Sequence, residues 1–239
     1  MGFASKRIVV LGGTSGIGFA VATAAAHAGA TVVVASSRKQ RVDEALSLLP
    51  VGCEGHVLDL TDSDAIEHFF SRVGSYDHLV YTAGEPLLLR NLDALDLAEA
   101  RRFFETRYWG AFAAAKFGVR GIRPGGSIVF SSGTASQRPI SGWSIVASAL
   151  SAMEGLARAL AVELAPIRVN VVTPGLVKTE LWRSMDKSQR DKLYQDTANN
   201  LLVRHVGEAH EIAQAYLYCM SQTYLTGQTM VTDGGATLM

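Results

Sequence analysis

The sequence lacks a net charge, and it lacks the closely spaced cysteines of a disulfide framework. Its 239 residues include 22 basic and 22 acidic side chains, and charged residues make up only 18 % of the chain. A nucleic-acid or anionic-membrane partner calls for a basic surplus, so we expect neither. Because Cys53 and Cys219 lie far apart, we expect free thiols in a reducing compartment and predict a cytoplasmic protein.

Long apolar runs and metal-ligand spacings are also missing from the sequence. The apolar run after Lys6 and Arg7 ends at Leu11, which is too short for the core of a signal peptide. No stretch reaches the roughly 20 apolar residues of a membrane span, so we expect no membrane association. The six histidines do not pair with other ligand types at metal-binding spacing, and no metal site is predicted.

Hydrophobic residues make up 48 % of the chain and fall into short runs that alternate with helical patterns. The strand-like runs lie at 7–11, 30–35, 56–58, 78–82, 127–131, 168–172 and 229–232. The helical patterns after the first helix lie at 39–49, 62–73, 98–118, 143–164 and 208–220. This alternation predicts one α/β domain over residues 1–239, a doubly wound seven-stranded parallel sheet with helices on both faces.

The segment 176–204 is polar and mixed and breaks this alternation. An insertion at that point would lie over the carboxyl ends of the strands, where open α/β sheets bind ligands. We therefore predict a mobile flap over a substrate pocket. Its leucines together with Trp182, Met185 and Tyr194 favour a moderately hydrophobic substrate.

A glycine-rich loop joins the first strand to the first helix and reads Gly12-Gly13-Thr14-Ser15-Gly16-Ile17-Gly18. Gly12 permits a tight turn, Gly16 lets the backbone approach a pyrophosphate, and Gly18 lets the helix pack close to the sheet. The unpaired amides of the helix N-terminus then bind phosphates. This context favours a dinucleotide site over a purely structural turn.

The glycine spacing resembles that of the short-chain dehydrogenase/reductase family. Further matches span nearly the whole chain: Asp59-Leu60, Ala83-Gly84, Pro174-Gly175-Leu176-Val177-Lys178-Thr179 and Asp233-Gly234-Gly235. The resemblance implies a Rossmann fold, a nicotinamide cofactor and a small-molecule substrate. It also implies a two-fold homodimer or homotetramer formed by the helices at 98–118 and 143–164. Small residues in these helices permit close approach: Ala111, Ala113, Ala114, Ala115, Ala147, Ala149 and Ala152.

The end of the second strand decides between NAD(H) and NADP(H). It reads Ala35-Ser36-Ser37-Arg38 and lacks the carboxylate with which NAD-preferring members bind the ribose hydroxyls. Ser36, Ser37 and the planar fork of Arg38 suit a 2′-phosphate, so we predict NADP(H). The alternative is that Arg38 only solvates the start of the next helix.

The resemblance also assigns contacts to the rest of the cofactor. Asp59 would accept a hydrogen bond from the adenine amino group and the Leu60 amide would meet the ring, unless Asp59 instead caps the helix that starts near Asp62. Ala83 and Gly84 would let the ribose lie against the fourth strand. Tyr81-Thr82 replaces two family asparagines, which is expected to weaken a structural hydrogen bond. Thr179 would meet the nicotinamide amide, and Val177 would meet the same group through its backbone. Pro174 and Gly175 belong to the same cofactor-binding segment.

The catalytic positions depart from the family pattern. Ordinary members carry Tyr-x-x-x-Lys, in which the tyrosine protonates the alkoxide left by hydride transfer and the lysine lowers the pKa of that tyrosine. The matching positions hold Val146 and Leu150, and no Tyr-x-x-x-Lys occurs in the chain. The family asparagine is replaced by Arg107, whereas the serine is retained as Ser132.

Three functions remain open, and we favour the first. In a rebuilt carbonyl/alcohol oxidoreductase, Arg107 supplies a cation near the ribose, and Ser132, Ser144 or Tyr108 orients a substrate oxygen. A hydroxyl or water then delivers the proton, because arginine stays protonated. Alternatively, the protein is a catalytically inactive NADP(H)-binding sensor or scaffold, or it performs another cofactor-assisted reaction. The non-catalytic alternatives for the residues are a surface or interface salt bridge at Arg107 and a turn-capping hydroxyl at Ser132.

Overall fold

A computed structural model describes residues 2–239 of the chain. Its strands are β1 (Arg7–Leu11), β2 (Thr31–Ser36), β3 (Glu54–Val57), β4 (Tyr76–Tyr81), β5 (Ile122–Ser131), β6 (Arg168–Pro174), β7 (Val177–Lys178), β8 (Gly207–Glu208) and β9 (Thr229–Thr232). Its α-helices are α1 (Gly16–His27), α2 (Lys39–Leu48), α3 (Ser63–Arg72), α4 (Leu97–Arg102), α5 (Ala111–Gly118), α6 (Ser144–Glu163), α7 (Lys187–Asn200) and α8 (Ala209–Ser221). A π-helix covers Glu105–Gly110.

Seven strands form one sheet in the order β3-β2-β1-β4-β5-β6-β9, and all of its pairings are parallel. The prediction of a doubly wound seven-stranded parallel sheet is therefore confirmed. The strand order reverses at β1, which pairs with β2 on one side and β4 on the other. Ligands of open α/β sheets bind beyond the carboxyl ends of the strands at such a switch point.

The strands are apolar because helices cover both faces of the sheet. One hydrophobic cluster packs residues of α3, α5 and α6 against the sheet, and a second packs α1 and α8 against the other face. The middle of β1, for example, alternates between them, since Val9 belongs to the first cluster and Val10 to the second.

The single helix predicted over 98–118 is wrong. The structure divides it into α4, the π-helix and α5. The carbonyl oxygen of Phe104 accepts from the amides of both Tyr108 and Trp109, each at 3.0 Å, so one turn is wider than an α-turn. π-turns of this kind are frequent at functional sites, and this one contains Arg107.

Helix α6 has 20 residues and a mean hydropathy of 1.5 over its most apolar window. Length and composition therefore match a membrane span, contrary to the expectation from the sequence. The helix nevertheless contributes Val146, Met153 and Ala157 to the protein core. A core helix of a globular domain can have the same length and hydropathy. The buried face of α6 is apolar because it packs inside the protein.

Several small residues on α5 and α6 serve this core. Ala111, Ala114 and Ala115 on α5 and Ala149 on α6 are buried inside the chain. They let the two helices pack closely on the sheet, so they do not lie at a surface where a second subunit could meet them. The part of the predicted interface that rests on these four residues is wrong.

The segment 176–204 is ordered into several elements. β7 pairs with β8 in a small second sheet, a helical turn covers Glu180–Trp182, and α7 follows. Among the described side chains of α7 none is fully buried. Helix α7 therefore lies on the surface, whereas Val177 before it and Leu201 after it are buried. The mobility of the segment remains a prediction.

Glycine brings the phosphate loop into backbone contact with the end of β4. Gly12 has φ +83°, and a Cβ there would lie 2.6 Å from the amide nitrogen of Ala83. Gly125 has φ +82°, but a Cβ there would have no atom within 4 Å. A side chain would therefore strain the backbone equally at Gly12 and Gly125, but only at Gly12 would it also collide with the backbone at the end of β4.

We predict that Gly12→Ala lowers the free energy of unfolding by about 1–3 kcal/mol more than Gly125→Ala does. Both variants force a Cβ into a left-handed conformation, at about 1–2 kcal/mol each, but only Gly12→Ala overpacks the junction with β4. The measurement is urea unfolding of both variants. Equal losses of stability would contradict the close approach.

Candidate functional site

The N-terminus of α1 offers free donors at the switch point. The helix starts at Gly16 after Ser15, whose side chain makes no capping hydrogen bond within residues 2–239. The first amides of an α-helix have no intrahelical acceptor, so the amides of Gly16, Ile17 and Gly18 remain available to an anion. Thr14 and Ser15 are half-buried in the same loop. The arrangement fits the predicted phosphate loop.

The end of β2 presents cations and hydroxyls. Ser36 is half-buried, whereas Ser37 and Arg38 are exposed. Arg38 occupies the N-cap position of α2 and forms no ion pair in the part of the chain that the structure describes. A surface cleft beside it is lined by Arg38, Lys39, Gln40, Arg41 and Glu44. These positions suit a 2′-phosphate.

Asp59 forms a local turn after β3. Its Oδ1 accepts hydrogen bonds from the amide and the hydroxyl of Thr61 at 2.9 and 2.8 Å, which lower the pKa of the carboxyl group. Asp62 caps α3 by accepting from the amides of Asp64 and Ala65. The alternative role of Asp59 as the helix cap is therefore wrong.

Tyr81 and Thr82 both retain hydrogen bonds at the end of β4. The Thr82 hydroxyl donates to the Leu11 carbonyl at 3.2 Å, which ties β4 to the phosphate loop. The Tyr81 hydroxyl donates to the carbonyl of Thr106 in the π-helix. Tyr81 and Thr82, which stand where family members have two asparagines, therefore each form a hydrogen bond to a backbone carbonyl.

The segment after β6 reaches the phosphate loop. Pro174 ends β6, and Gly175 approaches Asp233 so closely that a Cβ would lie 2.9 Å from the Asp233 Cα. Val177 is buried, and its carbonyl accepts from the Trp182 indole at 3.1 Å. A Cβ on Gly16 would lie 3.5 Å from the Thr179 side chain, so Thr179 stands over the N-terminus of α1.

Arg107 projects from the π-helix onto the end of β4. A Cβ on Gly84 would lie 2.5 Å from the Arg107 Cζ, so the guanidinium occupies the space that a side chain there would fill. The family resemblance assigns Gly84 to a contact with the ribose. The structure adds that a side chain at position 84 would collide with the Arg107 guanidinium. The guanidinium thus lies at the strand end where the family places the ribose.

The Arg107 side chain is only 13 % exposed and has one carboxylate beside it. Its Nη2 donates to the Glu85 carbonyl at 2.7 Å, its Nε lies 4.0 Å from Glu85 Oε2, and its Cζ lies 5.1 Å from the centre of the Phe103 ring. Burial lowers the pKa of the guanidinium, and Glu85 opposes that shift. The surface salt bridge considered for Arg107 is wrong, because the group is buried.

Arg107 Nε and Glu85 Oε2, which lie 4.0 Å apart, have no hydrogen-bond partner among residues 2–239. The other oxygen of Glu85 accepts from the Thr106 amide at 2.6 Å. Arg107 Nε and Glu85 Oε2 are both enclosed by the protein, so they face each other and not an incoming ligand. We did not single out Glu85 from the sequence, although it directly follows the Ala83-Gly84 match.

Hydrophobic packing fills the positions of the missing tyrosine and lysine. Val146 and Leu150 are buried in a cluster with Phe103, Ala135 and Ala149, and the partly buried leucines 87–89 pack against it. A Cβ on Gly133 would lie 3.1 Å from a Leu150 methyl. Neither position can donate a proton, and the cluster leaves no polar group in their place.

Ser132 faces a carboxylate that we did not single out from the sequence. Its hydroxyl lies 3.0 Å from the Leu150 carbonyl and 3.1 Å from Oε1 of Glu154. The same oxygen accepts from Ser136 at 2.6 Å. Because a serine carries one proton, a hydroxyl that donates to either acceptor presents lone pairs to other neighbours. Glu154 lies one helical turn beyond Leu150, which is the signal that could have identified it.

The family model for an SDR-like Rossmann domain matches residues 2–239. The chain belongs to the short-chain dehydrogenase/reductase family. It is 36 % identical to short-chain dehydrogenase/reductase ucsE of Acremonium sp over 97 % of this chain and 95 % of that protein.

Two solved structures of the family are similar over nearly the whole chain. A small-chain dehydrogenase in complex with NADPH is 37 % identical with a TM-score of 0.84, covering 98 % of this chain and 99 % of that one. The reductase/Diels-Alderase MalC from Malbranchea aurantiaca is 28 % identical with a TM-score of 0.91, covering 98 % and 97 %.

The other two hydroxyl candidates of this short-chain dehydrogenase/reductase are Ser144 and Tyr108. Ser144 is exposed on α6. Tyr108 packs its ring against Phe104 and Trp109. Among the described residues, no group of three His, Cys, Asp or Glu side chains could hold a metal ion.

We predict that Leu150→Lys, which restores the family residue, lowers the free energy of unfolding by about 3 kcal/mol or more relative to Leu150→Met. The lysine would bury an ammonium group among apolar side chains, which costs several kcal/mol, whereas methionine conserves volume. Burial depresses the lysine pKa in the folded state, so the difference between the variants shrinks as pH rises toward 10. The measurement is urea unfolding at pH 7 and 9.5, and equal stability of the two variants would mean that position 150 faces water.

Proposed function

We propose that this protein is an NADP(H)-dependent reductase of carbonyl compounds in which a buried arginine replaces the tyrosine–lysine pair. The observation that carries the proposal is the Arg107 guanidinium, which lies over Gly84 and has Glu85 as its one carboxylate neighbour. It provides a fixed positive charge at the strand end where the family resemblance places the ribose of the cofactor.

The residues of the nucleotide site fit NADP(H). The amides at the start of α1 suit a pyrophosphate, and Ser36, Ser37 and Arg38 offer hydroxyls and a cation in place of the carboxylate typical of NAD-preferring members. The NADPH complex of the similar small-chain dehydrogenase supports the same cofactor.

We also retain the cytoplasm as the proposed location.

The chemistry follows from charge. The nicotinamide of NADPH supplies a hydride when it is bound. Negative charge then grows on the substrate oxygen, and a donor that is already oriented in a dry site stabilises it strongly. Arg107 is such a donor, because Gly84, Phe103 and Glu85 hold it in place. Arg107 keeps its own proton, so the proton for the product comes from water.

Ser132 has a positioning role in this proposal. Its hydroxyl is held by Glu154 and the Leu150 carbonyl, so its lone pairs can accept a hydrogen bond from the hydroxyl of the alcohol product. The apolar cluster around Val146 and Leu150 forms the wall beside it. This wall supports the prediction of a moderately hydrophobic substrate.

The same wall favours a second candidate, a reaction that needs no proton donor. A relative of similar structure carries the name reductase/Diels-Alderase, and a cycloaddition transfers neither hydride nor proton. Such a reaction, or a non-catalytic sensor, would retain nucleotide binding but not NADPH oxidation.

We further propose a homodimer formed by the outward faces of α5 and α6. Trp109 in the π-helix and Phe112 in α5 are 55 % and 40 % exposed, and their ring centres lie 6.2 Å apart. The outward face of α6 includes Gly155, where a Cβ would have no atom within 4 Å, and Val162. An exposed aromatic pair beside a face of small residues suits close packing with a second copy.

We predict that Arg107→Met lowers kcat for NADPH oxidation by about 100-fold or more, the usual loss on removing one oriented donor. NADPH affinity, measured by calorimetry, should fall by at most about tenfold, the loss of one hydrogen bond. The assay follows NADPH oxidation with a panel of aldehydes, ketones and quinones. Arg120→Met, which alters an exposed arginine, is the matched control.

Arg107→Met leaves the Glu85 carboxylate buried without its cation, so the double variant Arg107→Met/Glu85→Gln is measured beside it. Undiminished turnover in a folded variant would refute the role of Arg107. A wild-type protein that binds NADPH but oxidises it with no substrate of the panel would favour the second candidate.

We predict that the wild-type protein sediments as a dimer or a larger species and that Phe112→Asp shifts it toward the monomer. A carboxylate placed within a buried apolar contact should weaken association by about 100-fold. Val51→Asp, at a fully exposed loop position, should leave the assembly unchanged. Sedimentation velocity makes the comparison, and a wild-type monomer would contradict the proposed interface.

A further inference from the structure

An ion pair connects α2 with the start of the flap. The Arg41 guanidinium donates to both carboxylate oxygens of Glu180, Nη1 to Oε1 at 3.1 Å and Nη2 to Oε2 at 2.8 Å. The two residues lie 139 positions apart. The Arg41 side chain is 26 % exposed and that of Glu180 is 48 % exposed. Because water screens this partly solvated pair, a more highly charged anion can replace the carboxylate.

The ion pair completes a short bridge over the nucleotide site. Thr179 stands over Gly16 at the phosphate loop, and the adjacent Glu180 reaches α2. Residues 179 and 180 therefore extend from the pyrophosphate side of the site to the 2′-phosphate side. We call these two residues the flap root.

Arg41 also belongs to the cleft proposed for the 2′-phosphate. It lines this cleft with Arg38 and Lys39. Its second carboxylate neighbour, Glu44, is more distant at 3.9 Å. Arg41 is thus the cation through which a bound phosphate and the flap root can compete.

We propose that Arg41 is a second cation for the 2′-phosphate and that binding of this phosphate displaces Glu180 and releases the flap root. The proposal rests on the NADP(H) site proposed above. A 2′-phosphate carries about −1.5 to −2 charges and three acceptor oxygens, so it attracts Arg41 more strongly than one carboxylate does. It also repels Glu180, which retains Arg183 at 3.5 Å as its other cation.

Two consequences follow from this competition. Glu180 lowers the affinity for NADP(H) but not for NAD(H), because only the former brings a phosphate to Arg41. By thermodynamic reciprocity, NADP(H) loosens the flap root to the same extent that the flap root opposes NADP(H). Cofactor identity is thereby coupled to access to the substrate pocket.

The first experiment measures Kd for NADPH and NADH by calorimetry. Arg41→Met should weaken NADPH binding by about tenfold or more, the loss of a charge-assisted hydrogen bond. Glu180→Gln should strengthen it by about two- to fivefold. Neither variant should change Kd for NADH. The matched control is Glu208→Gln, which removes the same charge from the Lys178–Glu208 pair of the small sheet and should leave both affinities unchanged.

The second experiment compares amide hydrogen exchange at residues 180–186 in the NADPH and NADH complexes. Both nucleotides cover the nicotinamide side equally, so a difference reports on the 2′-phosphate alone. Exchange should be faster with NADPH in the wild-type protein and equal with the two nucleotides in Glu180→Gln.

The outcomes separate this inference from the proposed function. A folded wild-type protein that binds neither nucleotide would overturn both. If NADPH binds but Arg41→Met and Glu180→Gln leave the ratio of NADPH to NADH affinity unchanged, only the role of Arg41 is refuted. Equal exchange in the two wild-type complexes would refute the release of the flap root.

Discussion

The backbone contact between the phosphate loop and the end of β4 is the constraint on which the site depends. Gly12 meets the Ala83 amide at a distance that excludes any side chain, and the Thr82 hydroxyl bonds to the Leu11 carbonyl. This contact joins the loop before α1 to Ala83, the residue that precedes Gly84. Because Gly84 also has no side chain, Arg107 can lie on it. The anion-binding amides and the buried guanidinium thus share one rigid junction.

The loss of the family's tyrosine and lysine has been compensated by packing and by charge. Val146 and Leu150 extend an apolar cluster, so the fold no longer carries the cost of a desolvated ammonium group at position 150. The positive charge has moved to Arg107 on the π-helix, where Glu85 balances it. A tyrosine can deliver a proton and an arginine cannot, so in the proposed reaction Arg107 supplies the electrostatic stabilisation and water delivers the proton.

Two ion pairs and one hydroxyl–carboxylate contact lie in and beside the proposed nucleotide site. Arg107 has Glu85 beside it, Arg41 is held by Glu180, and the Ser132 hydroxyl faces Glu154. The pairs differ in burial, and this difference determines what each can do. A buried pair keeps a fixed orientation, as a catalytic donor requires, whereas a half-exposed pair can exchange partners when a phosphate arrives.

The sequence by itself determined three features. Periodicity predicted the seven-stranded sheet, glycine spacing predicted the phosphate loop at residues 12–18, and the residues themselves showed that Tyr-x-x-x-Lys is missing. Each of these features is encoded by neighbouring residues. Only the tertiary structure decided that Arg107 folds onto Gly84, and that Glu154 and Glu180 face Ser132 and Arg41. Such contacts join residues about 20 to 140 positions apart, and helix and strand patterns carry no information on the direction of a long side chain. The break in the helix predicted over 98–118 belongs to the same class, since its wide turn carries Arg107 over β4 and is not signalled by helix propensity.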